Sequence, residues 1–543
     1  MKLLREHPIL LLILVCLGIF FVNLDAIFVN IMEARNFTTA REMIHDGNWI
    51  FTTLNGEPRY QKPPLPTWIT AGFALLFGLK SLVALRLPAA IMGLITVLFS
   101  YKLALKFTNH KTYALTSGLV LVTSFYIIFA GRNGQWDIFT HAFMMGSIYF
   151  LFRFFTSDQK LYQNALVAAL FFGGSFLSKG PVSLYALLLP FLIAFGIVWK
   201  YQRIKKRWLP IIVFLAITTL LSGWWHWYVY TFDAEAIAEI TQKEAANWTG
   251  YNVRPFYYYW SFFTQSGIWT IPAFIGLLYP YLKNRVFHKK GYLLTFWWTT
   301  LSVVLLSIIP EKKSRYLLPV LIPLALNTAF YLEYLFRRFA VLKDKKETFP
   351  VYFNFGLIAL IGIVFPIGGY FFLKDQLSGN WIWFVLLSIA LCTIGVFIFR
   401  SLYQKNIQHT FYGTITFIVT IMCFGMPMAS ALTVNPEYKS LAELNQWQAE
   451  TKLPVYELGG FTPELIWAYG KPIEVISEGK EIEYPEERQF GLLVSEDQQT
   501  KLKQQFKDYS VEKITRYDMN PKAAGERSHR PRLWRDLYLI TKR

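Results

Sequence analysis

Cysteine is almost missing from this chain. There are three in 543 residues, Cys16, Cys392 and Cys423, and each falls inside an apolar run. That excludes a disulfide framework and a CxxC metal centre. Histidine is sparse as well, and His141 and His226 stand alone near the ends of apolar runs, without a partner at ligand spacing, so no metal site is expected. Charge is thin: 16% of residues are charged against 54% hydrophobic. Uncharged runs long enough to cross a bilayer therefore recur, which excludes a soluble globular class. Acid is the scarcer sign, 35 residues against 54 basic, for a net charge of +19. This excess does not imply nucleic acid. Much of it lies in short loops between apolar runs, where it sets orientation; the rest is free to meet phosphate. No small-residue cleavage site follows MKLLREHPILLLILVCLGIFFV, and Asp25 comes directly after it. The first run therefore reads as an uncleaved span rather than a signal peptide. The sequons at Asn36 and Asn247 matter only in a eukaryotic secretory setting.

What is present is a ladder of apolar segments. Candidate spans fall at 8–24, 86–106, 112–130, 137–155, 161–178, 181–199, 209–229, 267–283, 291–309, 316–337, 351–373, 381–400 and 410–432. The expectation is an all-α polytopic membrane protein of about 13 transmembrane helices. MKLLREH, KYQRIKKRW, KNRVFHKKG, FRRFAVLKDKKET and RSLYQKN then share one side, the cytoplasm. The short run 65–80 must not cross, because a crossing there would turn every later basic loop outward. From about 433 the chain becomes polar, with β-like runs (LPVYEL, FGLLVS, DLYLITK) and helix-like stretches (SLAELNQWQAET, EDQQTKLKQQFKDY). We expect two domains, 1–432 in the membrane and 433–543 as a small extracytoplasmic α/β domain.

The stretch Asp25–Pro64 concentrates ionisable groups at one membrane mouth: Asp25, Glu33, Arg35, Arg41, Glu42, Asp46 and Lys62. Ile31–Ile44 has the spacing of an amphipathic helix. Asn55-Gly56 signals a turn, and Lys62-Pro63-Pro64 stiffens the exit, with Tyr60 beside it. The first outer loop, 25–80, is therefore expected to be structured. The same topology brings four other pieces to that face: Asp137, Lys179, the loop 230–266 with Glu244, Arg254 and its aromatics from Trp248 to Trp260, and the segment holding Lys312, Lys313, Arg315 and Tyr316. Cations at such a boundary suit a phosphate. Lys179 either snorkels or meets an anion. Carboxylates facing a phosphate suit glycosyl transfer, in which cations stabilise the leaving group and an acid's conjugate base activates the acceptor hydroxyl. Asp137 and Glu33 are the candidates, although Asp137 could cap its helix and Glu33 could pair with Arg35 or Arg41.

These motifs resemble the GT-C membrane glycosyltransferases, in particular the family of the lipid A aminoarabinose transferase and the protein O-mannosyltransferases. The resemblance rests on Met32-Glu33-Ala34-Arg35-Asn36, Ala40-Arg41-Glu42-Met43, Gly47-Asn48-Trp49, Lys62-Pro63-Pro64, Arg86-Leu87-Pro88, Asp137, Lys179-Gly180 and Lys312 to Pro319. It covers about residues 20–325 in order. It implies a polyprenyl-phosphate (undecaprenyl phosphate) sugar donor, a lipid or glycan acceptor, and an active site on the periplasmic side of a bacterial inner membrane, as in lipid A modification of the cell envelope. Hexosyl or pentosyl transfer, or a protein acceptor, would fit. It further implies that Arg35, Lys62, Lys179, Arg315 and Tyr316 hold the donor phosphate. Glu33, Asp137 or Asp25 would activate the acceptor, and Tyr60, Glu244, Arg254, Lys312 and Lys313 would contact substrate. No metal is required, though a divalent cation would be compatible, and the chain is expected to act as a monomer. The family's first aspartate is Met32 here, and its tyrosine is Asn36. The carboxylate role therefore passes to Glu33, Asp25 or Asp137, or the chain is a non-catalytic relative. A transporter or flippase would call for inverted repeats and charges at mid-bilayer; no internal repeat is found.

Overall fold

The computed structural model describes residues 6–202, 204–432, 435–477 and 482–543, without the side chains of 248, 249, 430 and 431. Two compact units emerge. One comprises Met1–Ala26 with Tyr60–Met428, the other Ile27–Arg59 with Ala429–Arg543. This departs from a single cut near 432, because residues 27–59 fold with the C-terminal segment.

In the larger unit, nine helices among the described residues are long and apolar enough to cross a membrane, or ten if the bent pair Lys111–Val122 and Phe125–Gly131 is one span. The other expected spans differ for local reasons. Pro8–Phe21 and Leu184–Trp199 are apolar but shorter, at about 1.5 Å per residue falling below the ~30 Å hydrocarbon core. Leu65–Phe77 is shorter still. The expected span 267–283 is broken: Gly267 takes φ +68 with the Phe125 ring against it, where a Cβ would lie 2.4 Å from Phe125 Cγ, and only Thr270–Gly276 and Tyr279–Leu282 are α-helical. Bulk and an L side chain at 267 would meet both a steric and a backbone objection.

The helix Leu318–Arg338 is the buried axis of this unit, with Leu318 through Leu335 all inside. Buried aromatics around the core hand their polar tips to partners: Tyr113 Oη donates to Leu326 O at 2.8 Å, Trp269 Nε1 to Thr123 Oγ1 at 2.8 Å and Trp298 Nε1 to Leu187 O at 2.9 Å. The first helix ends in a wide turn, Leu17–Phe21. Arg132 donates there to Ile19 O and Asn23 O, both at 2.7 Å, and Arg86 donates to Leu24 O at 2.6 Å. Cations thus satisfy carbonyls that the helix end leaves open.

The second unit holds a small β-sheet flanked by short helices. Its sheet runs Glu474–Val475, Val455–Leu458, Gln489–Val494, Trp534–Lys542, Tyr509–Asp518 across. The first three strands are parallel and the last two join antiparallel. The strand Tyr509–Asp518 carries no clear signal in its sequence, because its residues are mostly exposed and its apolar and polar residues do not alternate.

The helix Ile31–Asp46 belongs to this unit. Asn30 caps it, accepting from Met32 N and Glu33 N, while Glu33 returns a carboxylate oxygen to Asn30 N and Nδ2. Its far face lies on the helix Pro463–Tyr469. Phe37 meets Trp467 edge-on at 5.4 Å, and Arg41 Nη1 donates to Ile466 O at 3.2 Å. Burial lowers the Arg41 pKa, opposed by Glu42 and Asp46. Glu42 closes the Asn55-Gly56 turn, accepting from Asn55 N at 2.7 Å and Thr53 Oγ1 at 2.6 Å. Asn55 exchanges two 2.8 Å bonds with the Ile473 backbone. Buried Arg59 donates to Thr39 Oγ1; burial, then Arg35, pushes its guanidinium down to about 9, so it stays charged at neutral pH.

Asp518 ties the C-terminal strands together. Burial alone would raise its pKa, but bonds from Asn520 N–H, His529, and the Asn520 and Asn435 side chains hold it below the ordinary value. A carboxyl depressed in the folded state contributes stability above its unfolded pKa, about 4, and loses it as pH falls through the folded value. Hydrogen exchange of Tyr509–Asp518 in the full chain, corrected for intrinsic rate, should therefore accelerate below about pH 4. Asp518→Asn should flatten that dependence, and an unchanged profile would show that other groups govern it.

Candidate active site

The helices Asp137–Thr156 and Leu161–Lys179 pack as an antiparallel pair. Their register is locked by Thr140 Oγ1 donating to Ser175 O at 2.8 Å and Ser175 Oγ donating to Thr140 O at 2.7 Å. This puts the first residue of one helix beside the last of the other. Lys179 Nζ bonds Asp137 Oδ1, and both side chains are buried, 6% and 5% exposed. Lys179 is thus an interior ion-pair partner and does not snorkel. Asp137 makes no cap bond to its own helix; its second oxygen is buried without a partner among the described residues. The nearby His141 Nδ1 lies 2.6 Å from Ser183 Oγ.

A third element completes the cluster. Residues 309–316 lead into the buried helix Leu318–Arg338, and the aromatic loop is stitched to them. Val253 bridges Glu311, Lys312 N donates to Asn252 O, and Tyr259 Oη and the Lys313 backbone exchange bonds at 3.1 and 2.9 Å. Tyr316 stands at the centre. Lys179 Nζ, Lys313 Nζ and the Arg315 guanidinium lie 5.8, 5.7 and 5.8 Å from its ring centroid. Each is in cation–π range. Two carboxylates, Asp137 and Glu311, face three cations, which leaves one positive charge over. Arg315 Nε is buried and has no partner among the described residues. A buried donor without an acceptor is costly, and beside two ammonium groups it suits a bound oxyanion.

The remaining expected residues are placed as follows. Lys312 is pinned: its ammonium donates to Arg254 O at 3.1 Å and Ile309 O at 2.6 Å, and burial lowers its pKa. Arg254 offers its backbone there while its side chain is exposed. Tyr60 Oη donates to Asp233 at 2.5 Å; burial first, then that bond, raises its pKa, so the phenol remains a donor. Lys62 is half-buried ahead of Pro63-Pro64, Asp25 is exposed in a turn, and Glu244 is half-buried on the helix Ala234–Gly250. Trp248 lies outside the described side chains. Glu33 and Arg35 belong to the other unit: Glu33 is buried in the capping box and Arg35 is half-buried. Among the described residues no three His, Cys, Asp or Glu side chains form a group that could hold a metal ion.

Sequence reasoning missed Glu311 and Asp233. Glu311 sits in a motif that stands out for its cations, Pro310-Glu311-Lys312-Lys313, and its charge alone could have drawn notice. Asp233 carries no local signal, since its partner Tyr60 is 173 residues away.

The profile of the dolichyl-phosphate-mannose-protein mannosyltransferase family matches residues 61–227. An uncharacterized protein of Aquifex aeolicus is 29% identical over 60% of this chain and 63% of its own length. An undecaprenyl phosphate-alpha-4-amino-4-deoxy-L-arabinose arabinosyl transferase of Proteus mirabilis is 26% identical over 62% of this chain and 61% of its own. The chain thus spans under two thirds of these curated relatives. The crystal structure of ArnT from Cupriavidus metallidurans bound to undecaprenyl phosphate aligns over 97% of both chains, with a TM-score of 0.67 and 17% identity. In fold, the chain is therefore similar to ArnT over nearly its whole length, and in sequence it is similar to the mannosyltransferase family over residues 61–227 and to the arabinosyl transferases over about three fifths of its length.

Proposed function

We propose that this chain transfers a sugar from a polyprenyl-phosphate donor to a lipid or glycan acceptor at the outer face of a bacterial inner membrane. The observation that carries this is the ring of Lys179, Lys313 and Arg315 around Tyr316, with a guanidinium nitrogen unpartnered and one positive charge to spare among the described residues. Leaving-group departure puts charge on phosphate, and fixed cations favour that state over the ground state. The names of the relatives support undecaprenyl phosphate as carrier and a pentose as one sugar class; hexosyl transfer is the other. Lys62 joins the donor contacts by resemblance. The cations already supply charge to the phosphate, so the reading does not call on a metal, and a divalent cation would add to it. Met32, where the related motif has aspartate, is the observation behind a second reading, a non-catalytic relative that keeps the lipid site.

Mass spectrometry of total lipids and envelope glycans separates the two. A deletion strain should lack one sugar modification that wild-type complementation restores. Complementation by Glu33→Gln then decides whether Glu33 is needed. An unchanged glycome in the deletion strain would favour the non-catalytic reading.

A further inference from the structure

Glu311 is a carboxylate that no motif singled out, and its surroundings differ from those of Asp137. Its backbone is fixed by the bridge to Val253, and its side chain is 10% exposed. Glu311 Oε1 accepts from Tyr316 Oη at 3.2 Å and pairs with Lys313 Nζ at 2.5 Å. The two acids of the cluster are therefore each held by one ammonium. The ammonium groups are not equivalent. Lys179 is 6% exposed and locked between packed helices, whereas Lys313 is 24% exposed. Lys313 Nζ rests over the Tyr251 ring at 4.7 Å, on the aromatic loop. Lys313 is therefore the ammonium more open to an incoming anion. Neighbouring Lys312 cannot substitute, because its ammonium is committed to two backbone carbonyls.

We propose that Glu311 is the general base of sugar transfer and that Lys313 keeps it masked until the donor binds. This rests on the glycosyltransferase reading above. The donor phosphate takes Lys313 as a counter-ion, and the Glu311 carboxylate is released on the side facing Tyr316. It accepts the proton of the acceptor hydroxyl as that oxygen forms a bond to the anomeric carbon. The bond from that carbon to the phosphate oxygen breaks, and its electron pair leaves on the phosphate, which Lys313, Lys179 and Arg315 hold. Masking makes binding ordered, donor before acceptor, and spares the site a free base while it is empty. Met32 is then no defect, since the acid is supplied from a different element.

The test uses the full chain in lipid nanodiscs, with undecaprenyl phosphate as the binding probe, and transfer read as glycoconjugate formed per unit of protein in the complemented strain. Glu311→Gln should bind undecaprenyl phosphate at least as tightly as wild type, because Lys313 has lost its competitor. Transfer should fall by about a hundredfold or more. Glu311→Asp, which keeps the acid on a shorter arm, should bind normally and recover part of the transfer. Normal transfer by Glu311→Gln would overturn the proposal. So would loss of probe binding by both variants, which would make Glu311 a structural support. A wild type that neither binds the probe nor restores a sugar would overturn the functional reading, and this inference with it.

Discussion

Lys179→Met should cost the protein about 3–5 kcal/mol, because it leaves Asp137 buried without its cation. Both side chains are inside, and Asp137 already has one oxygen without a partner among the described residues. Asp137→Leu alone should cost a similar amount by stranding the ammonium. The double variant, Asp137→Leu with Lys179→Met, should recover most of the loss, since well-packed apolar replacements of a buried pair are often neutral. Transfer should be absent in all three, since the ring around Tyr316 has lost a cation, an acid or both. Thermal unfolding of the purified protein in one detergent, with the glycoconjugate assay, checks this. A Lys179→Met protein as stable as wild type would mean that the pair is solvated rather than buried. An active double variant would remove both residues from the chemistry.

Arg535→Met should be as damaging, although it lies in the C-terminal sheet. Arg535 donates to Glu457 Oε1 at 2.7 Å, Trp534 O at 2.8 Å and Thr462 Oγ1 at 3.2 Å. Glu457 is fully buried; burial raises its pKa and Arg535 opposes that. Removing the guanidinium strands this carboxylate at a cost of about 3–5 kcal/mol. The consequence extends along the unit. Thr462 precedes the helix Pro463–Tyr469, which carries Trp467 and the carbonyls held by Arg41 of the helix Ile31–Asp46. Glu33 and Arg35 ride on that second helix. Arg535→Met should therefore raise hydrogen exchange in residues 31–46 as well as in the sheet, whereas Arg516→Met, whose partner Asp536 keeps Lys513 at 2.9 Å, should change little. Protection of 31–46 that survives Arg535→Met would show that the loop and the sheet fold independently.

Much of the site is legible in the sequence alone. Asp137, Lys179, Arg315 and Tyr316 stand out as polar groups set against apolar runs, and in the fold Lys179 and Arg315 lie by the Tyr316 ring while Asp137 pairs with Lys179. The Ile31–Asp46 helix and three strands of the C-terminal sheet follow from periodicity. Lys312 shows where that reasoning fails. It lies in the same motif as Lys313, yet its ammonium serves two carbonyls while Lys313 faces a carboxylate. Adjacent residues point in different directions, and hydropathy has no term for direction.

The sequence by itself determined the class of molecule, because a ~20-residue uncharged run has one comfortable solvent. It also determined which polar residues needed explaining, since each charge next to such a run must find a partner or a boundary. Tertiary structure decided the pairings. Whether Lys179 snorkelled or paired depended on the Thr140–Ser175 register between two helices. The assignment of residues 27–59 to the C-terminal unit depended on Asn55 meeting Ile473 and Arg41 meeting Ile466, more than 400 residues away. Local runs set what a segment is. The contacts that choose its partner are long-range and are settled only when the segments pack.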